Sequence, residues 1–172
     1  MTDETRKNLN GGWKLDKTRG EPSMRRYLET MGVSELAIVA HEKGEAEVDT
    51  INMIQMSDKR FKIKKTSRVN DLEEEYDIGK ETITKLPPTG EKEKITLVVS
   101  NGPCHVCVST KMPTMNGLAE VVDVKELMKL DNVHFPVMMQ SLTITNMDTK
   151  KSSLTKRYYL PINVEEEELE VP

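Results

Sequence analysis

Two hydrophobic periods divide this chain. Residues 12–15 read as a short strand carrying the only tryptophan. After it, Met24, Tyr27, Leu28 and Met31 recur at helical spacing, opened by Glu21-Pro22-Ser23 and ended by Gly32. Ser34 offers a cap for a second helix, in which Leu36, Ile38, Val39 and Ala40 precede a stop at Gly44. From Glu47 onward the period falls to two. Strands are predicted over 48–56, 60–66, 72–78, 93–100, 104–110, 118–125, 137–145 and 153–160. Phe61, Ile63 and Lys65 share one face of their strand, and Glu74 and Tyr76 share one face of the next. The turns carry Ser57-Asp58-Lys59, Val69-Asn70-Asp71, Pro87-Pro88-Thr89-Gly90, Asn101-Gly102, Asn116-Gly117 and the stretch 146–151. The Asn-Gly pairs mark hairpins, because both residues tolerate positive φ.

Short strands joined in order by tight turns predict an up-and-down antiparallel β-barrel, which removes most exposed sheet edges, capped by the helix-turn-helix. Several strands are polar on both faces, which fits a wall between solvent and a hydrated cavity better than the dry core of a filled sandwich, the competing architecture.

Composition narrows the function. The chain has 172 residues and a formal net charge of -4, one domain's length with no basic excess for nucleic acid. The second helix also offers few side chains that could read base edges. No secretory leader or membrane-spanning run is expected, and with two cysteines the expected compartment is the cytoplasm. Cys104 and Cys107 form a C-x-x-C in a β-favouring run, where residues three apart face opposite sides, which disfavours a disulfide or a shared zinc. No nucleophile and base pair, metal constellation or phosphate-binding loop emerges, so neither an enzyme nor a cofactor is expected. One pair carries chemistry. Arg157 and Tyr159 stand two apart in the last strand and emerge on one face, a planar donor fork beside a phenol that together suit a carboxylate.

With these elements placed, the sequence resembles the intracellular lipid-binding proteins of the fatty-acid-binding type, within the calycin superfamily. The resemblance rests on Gly11-Gly12-Trp13-Lys14-Leu15, the stretch Y-L-E-T-M-G-V over 27–33, Phe61-Lys62-Ile63-Lys64, Tyr76-Asp77-Ile78-Gly79 and Arg157-Tyr158-Tyr159, in shared order and spacing. It implies a ten-stranded barrel with a helical cap over 22–43, spanning 11–162, after a flexible polar N-terminus at 1–10. It also implies a non-catalytic carrier of a fatty acid or similar hydrophobic carboxylate. Arg157 and Tyr159 would hold the carboxylate, and Met24, Tyr27 and Leu28 would touch the ligand at the portal, with packing of the cap as their alternative role.

The sequence departs from that pattern in several places. The strand at 118–125 lacks the family's interior arginine. Lys125 is the nearest base, yet counting from the turn puts Val124 inward and admits Lys125 only through a bulge or slip. The second helix lacks the family's paired basic residues, a departure that weakens docking on anionic membranes. The connection over 126–136 is long enough for a short helical turn, and an acidic tail occupies 163–172. These additions suggest a second function, a protein-interaction module with a vestigial ligand site, the partner engaging the insertion or the tail. A monomer is expected in either case.

Overall fold

The computed structural model describes residues 5–67, 71–87, 89–114 and 117–163. The chain opens with β1 (Gly11–Gly20), α1 (Arg25–Met31) and α2 (Glu35–Glu47), followed by β2 (Ile51–Met56), β3 (Arg60–Thr66), β4 (Asp71–Asp77) and β5 (Glu81–Lys85). It closes with β6 (Glu93–Val99), β7 (His105–Pro113), β8 (Leu118–Met128), β9 (Val137–Asn146) and β10 (Ser152–Ile162). The ten strands form one antiparallel sheet in the order β4-β3-β2-β1-β10-β9-β8-β7-β6-β5. Because β1 pairs with both β2 and β10, the first and last strands meet, and the sheet curls into a barrel with one seam, between β4 and β5.

One end of the barrel is closed by apolar packing. Trp13 is fully buried with Leu9, Val98, Val106 and Met138, and its indole Nε1 donates to the Leu9 carbonyl at 2.8 Å. The indole is therefore buried with its one polar atom satisfied. Leu9 belongs to the segment read as a flexible polar leader, yet its side chain is in the core and its amide donates to Pro103 O at 3.0 Å. Beside it Arg6 lies over the Trp13 ring, 4.7 Å from the centroid, and donates to the Gly12 and Ile162 carbonyls. Gly11 makes room for it. A Cβ there would lie 2.7 Å from the Arg6 guanidinium carbon, and its φ of +114° favours glycine in any case.

The helices cover the other end. Ser34 Oγ accepts from Ala37 N at 3.4 Å and starts α2, while Gly32 ends α1 with φ +90°. The N-cap position of α1 is Met24, which makes no side-chain cap bond, while Ser23 Oγ just before it accepts from Arg25 N at 3.1 Å. Arg25 ties the helices together through Glu35 and Glu42. Met24, Tyr27 and Met31 pack beneath α1 against Ala119, Val121, Leu142 and Ile144.

Several boundaries differ from expectation, and two of them shape the interior. Gly44 does not stop α2, which runs one turn further to Glu47. A single interior glycine weakens a helix by only about 1 kcal/mol, which packing of this buried residue can outweigh. Strand β8 continues to Met128, so the connection shrinks to 129–136 and contains turns and bends but no helix. The strand expected from 48 begins at Ile51, and β5 lies where alternation assigned none. Several expected turn residues, Val69, Asn70, Pro88 and Asn116, lie outside the described residues, as does the tail over 164–172.

Candidate functional site

Beneath the cap the barrel encloses a cavity of about 380 Å³. Its wall is apolar at Met24, Phe61, Ile63, Val108, Val121 and Leu142 and strongly polar elsewhere. The polar part comes from inward positions of strands whose outward positions are also polar, as the alternation of β3 and β4 already indicates.

The deepest polar group is a connected network. Lys125 Nζ donates to Asp123 Oδ2 at 2.7 Å, Gln140 Nε2 donates to both Asp123 oxygens at 3.2 Å, and the Tyr159 hydroxyl donates to Gln140 Oε1 at 3.0 Å. All four side chains are buried. Burial pushes the Asp123 carboxyl up, but Lys125, Lys65 and its hydrogen bonds outweigh this and hold it below the usual aspartate range. Burial dominates at Lys125 and draws its ammonium below the usual lysine range, against the pull of Asp123. Burial with Asp123 nearby pushes the Tyr27 phenol up to about 12.

A second group sits where β3, β4 and β6 face one another. Glu74 takes hydrogen bonds from the Tyr76 hydroxyl and from Lys65 Nζ, the latter at 3.4 Å, while Lys94 Nζ lies 3.9 Å away. The Glu74 to Lys94 contact crosses the seam of the barrel, since β4 and β5 are unpaired. Burial raises the Glu74 carboxyl, yet Lys65, the Tyr76 hydroxyl and Lys94 together hold it below its ordinary range. Lys65 is held above the usual lysine range: burial opposes its charge, and Asp123, Glu74 and Tyr159 overcome it.

The third group joins barrel to cap. Arg157 Nη2 reaches both oxygens of Glu45 at 3.1 and 3.0 Å, and its Nε donates to the Pro22 carbonyl at 3.1 Å. Arg157 and Tyr159 do share the inward face, as their spacing predicts, with the guanidinium 6.0 Å from the phenol ring centroid. Each is nevertheless engaged elsewhere, the guanidinium by Glu45 and the hydroxyl by Gln140.

Of the other expected site residues, Met24 and Tyr27 line the cavity while also packing on β8 and β9, so both roles considered for them are geometrically available. Leu28 is half-buried in α1 and is not among the described lining residues. Lys125 is inside, and the expectation for Val124 is reversed. The pairing of β7 with β8 runs without a break from Pro113↔Leu118 to His105↔Glu126, so no bulge or slip is involved. Ala119, Val121, Asp123 and Lys125 form the buried face, and Val124 is on the half-exposed outer one. The signal misled because Val122 and Val124 give the outer face an apolar look, whereas the inner face carries the ion pair.

Glu45, Asp123, Gln140, Lys65, Glu74 and Lys94 were not singled out from the sequence as site residues. Polar side chains on the same face as core residues, Lys65 with Phe61 and Ile63, were the available signal.

No family model matches this sequence, and no curated protein is significantly similar to it. Solved structures do match. A fatty acid transporter described as REP1-NXSQ aligns with a TM-score of 0.61 at 15% identity, over 90% of this chain and 96% of that one. The apo form of Caenorhabditis elegans lipid binding protein 8 aligns at 0.60 and 18% identity, over 89% and 94% of the two chains. A Schistosoma mansoni fatty acid binding protein in complex with arachidonic acid aligns at 0.57 and 16%, over 90% and 96%. At these identities the likeness is one of fold.

Proposed function

We propose that this chain, which has the fold of the fatty-acid-binding proteins, is a non-catalytic cytoplasmic carrier that encloses one fatty acid or similar hydrophobic carboxylate as a monomer. The observation that carries this reading is the cavity of about 380 Å³, apolar along part of its wall and cationic along another. That volume is within the range of small-ligand sites, and a few placed polar groups in an otherwise apolar pocket are how such sites fix a ligand's orientation. Met24 and Tyr27 flank the tail, while Lys125 and Tyr159 hold the polar floor through Asp123 and Gln140. Leu28 supports the cap.

One observation favours the interaction-module reading: Arg157 and Lys125 already bind carboxylates of the chain itself, Glu45 and Asp123. In that case the outer surface, including the loop over 129–136 or the acidic tail, carries the function.

Native mass spectrometry of protein purified from its own source, with titration of the delipidated protein by dodecanoate, separates the two. The carrier reading expects a co-purified lipid and a saturable one-to-one complex. An empty protein that takes up no amphiphile overturns it.

A further inference from the structure

The cavity's charges do not balance. Among its described lining residues stand four cations, Lys65, Lys94, Lys125 and Arg157, against three carboxylates, Glu45, Glu74 and Asp123, with His41 aside. A surplus charge in a partly enclosed space is costly unless a counter-charge comes to it. Which cation is left over follows from the pairing. Arg157 has Glu45 on two contacts near 3 Å, and Lys125 has Asp123 at 2.7 Å. Lys65 and Lys94 share Glu74 as their one close acceptor among the described residues, at 3.4 and 3.9 Å, with Asp123 acting on Lys65 from further away.

Accessibility points the same way. The side chains of Lys125 and Arg157 are sealed, 1% and 6% exposed, so a ligand reaches them only by displacing a carboxylate of the chain. Those of Lys65 and Lys94 keep 35% and 24% of their surface open while lining the cavity. An ammonium group with three donors and one shared, distant acceptor has hydrogen-bonding capacity to spare.

We propose that the carboxylate of the carried amphiphile is seated by Lys65 and Lys94, bridging β3 and β6 across the seam beside Glu74, and that Arg157 holds the cap rather than the ligand. This rests on the carrier reading and names its headgroup site. A single negative charge there neutralises the surplus, with the Tyr76 hydroxyl and the Asp123, Lys125, Tyr159 network as its polar surroundings. Because the seat is on the wall at the seam, the tail extends toward Phe61, Ile63, Val121 and Leu142, and the internal ion pairs stay intact.

Calorimetric titration with dodecanoate and with dodecanol tests this. In Lys65→Met, and more so in Lys65→Met with Lys94→Met, dodecanoate binding falls by about tenfold to a hundredfold, the loss of a charge-assisted hydrogen bond. Dodecanol binding is unchanged in the same variants, which also verifies that they are folded, and Lys65→Arg restores most of the dodecanoate affinity. Arg157→Met affects the two ligands alike. The seat is overturned if Arg157→Met weakens dodecanoate selectively, or if the double lysine variant binds dodecanoate as the unmutated protein does. Failure of the unmutated protein to bind either probe overturns the carrier reading, and this seat with it.

Discussion

The two ends of the barrel are built on opposite principles. At the closed end Trp13, Leu9, Val98, Val106 and Met138 are fully buried, and the indole donates to a backbone carbonyl, so nearly all the buried surface is apolar and the polar atom is paired. Toward the cap, the apolar group of Ala119, Val121, Leu142 and Ile144 shares the interior with Asp123, Lys125, Gln140 and Arg157. Buried ion pairs rarely stabilise a protein over apolar replacements of the same volume, because each charge must be stripped of water. Fully buried ion pairs, found among the described residues toward the cap, mark that end as the one shaped by something other than stability.

The contrast is broken most forcefully at the tryptophan. Trp13→Ala removes the largest buried side chain and leaves a cavity between Leu9 and the strands, at a cost of about 3–5 kcal/mol in unfolding free energy by urea titration. The dodecanoate affinity of whatever remains folded should be nearly unchanged, since Trp13 does not line the cavity. A loss under about 1 kcal/mol would mean that the closed end is not where stability resides.

The polar end responds differently, to pairing rather than to volume. Asp123→Leu strands the Lys125 ammonium and should destabilise by about 3–5 kcal/mol, the cost of breaking a buried ion pair from one side. Adding Lys125→Met should recover most of that loss or exceed it. Acid titration sharpens the test. Asp123 is held below its unfolded value, so its contribution is present above the usual aspartate pKa of about 4 and is lost as pH falls through the lower folded value. The unmutated protein should therefore lose more stability below pH of about 4 than the double variant does. Parallel acid curves for the two would show that Asp123 is not the stabilised carboxylate.

How far the sequence reveals this follows the same division. Period-two alternation and turn residues place most strands within a few positions, and β3 agrees at both ends, because apolar burial and turn chemistry act locally. Strand β5 escapes alternation because it is short and nearly all exposed. Arg157 and Tyr159 are readable as an inward pair, since spacing alone fixes a shared face. Their partners are not readable. Glu45 is reached only because α2 continues past Gly44, where a glycine ordinarily suggests a stop. Gln140 and Asp123 meet through the pairing of β8 with β9, a contact that no local pattern encodes. Leu9 is hidden among polar neighbours, and the core residues it joins, Val98, Val106 and Met138, lie far along the chain.

The smallest expected effect tests the face assignment of β8. Val124 stands on the outer surface between Cys107 of β7 and Ser141 of β9, half-exposed, while its neighbours Asp123 and Lys125 point inward. Val124→Thr keeps the branched shape that strands favour and exchanges one methyl group for a hydroxyl that water can reach, so the stability change should lie within about 0.5 kcal/mol. Were the register shifted by one, the same hydroxyl would enter the cavity wall without a partner and cost about 1–3 kcal/mol. Dodecanoate affinity gives a second reading on the same variant. It should stay unchanged, because an outward side chain cannot reach a ligand inside the barrel, and a loss in both measurements would return Val124 to the interior and expel Lys125 from it.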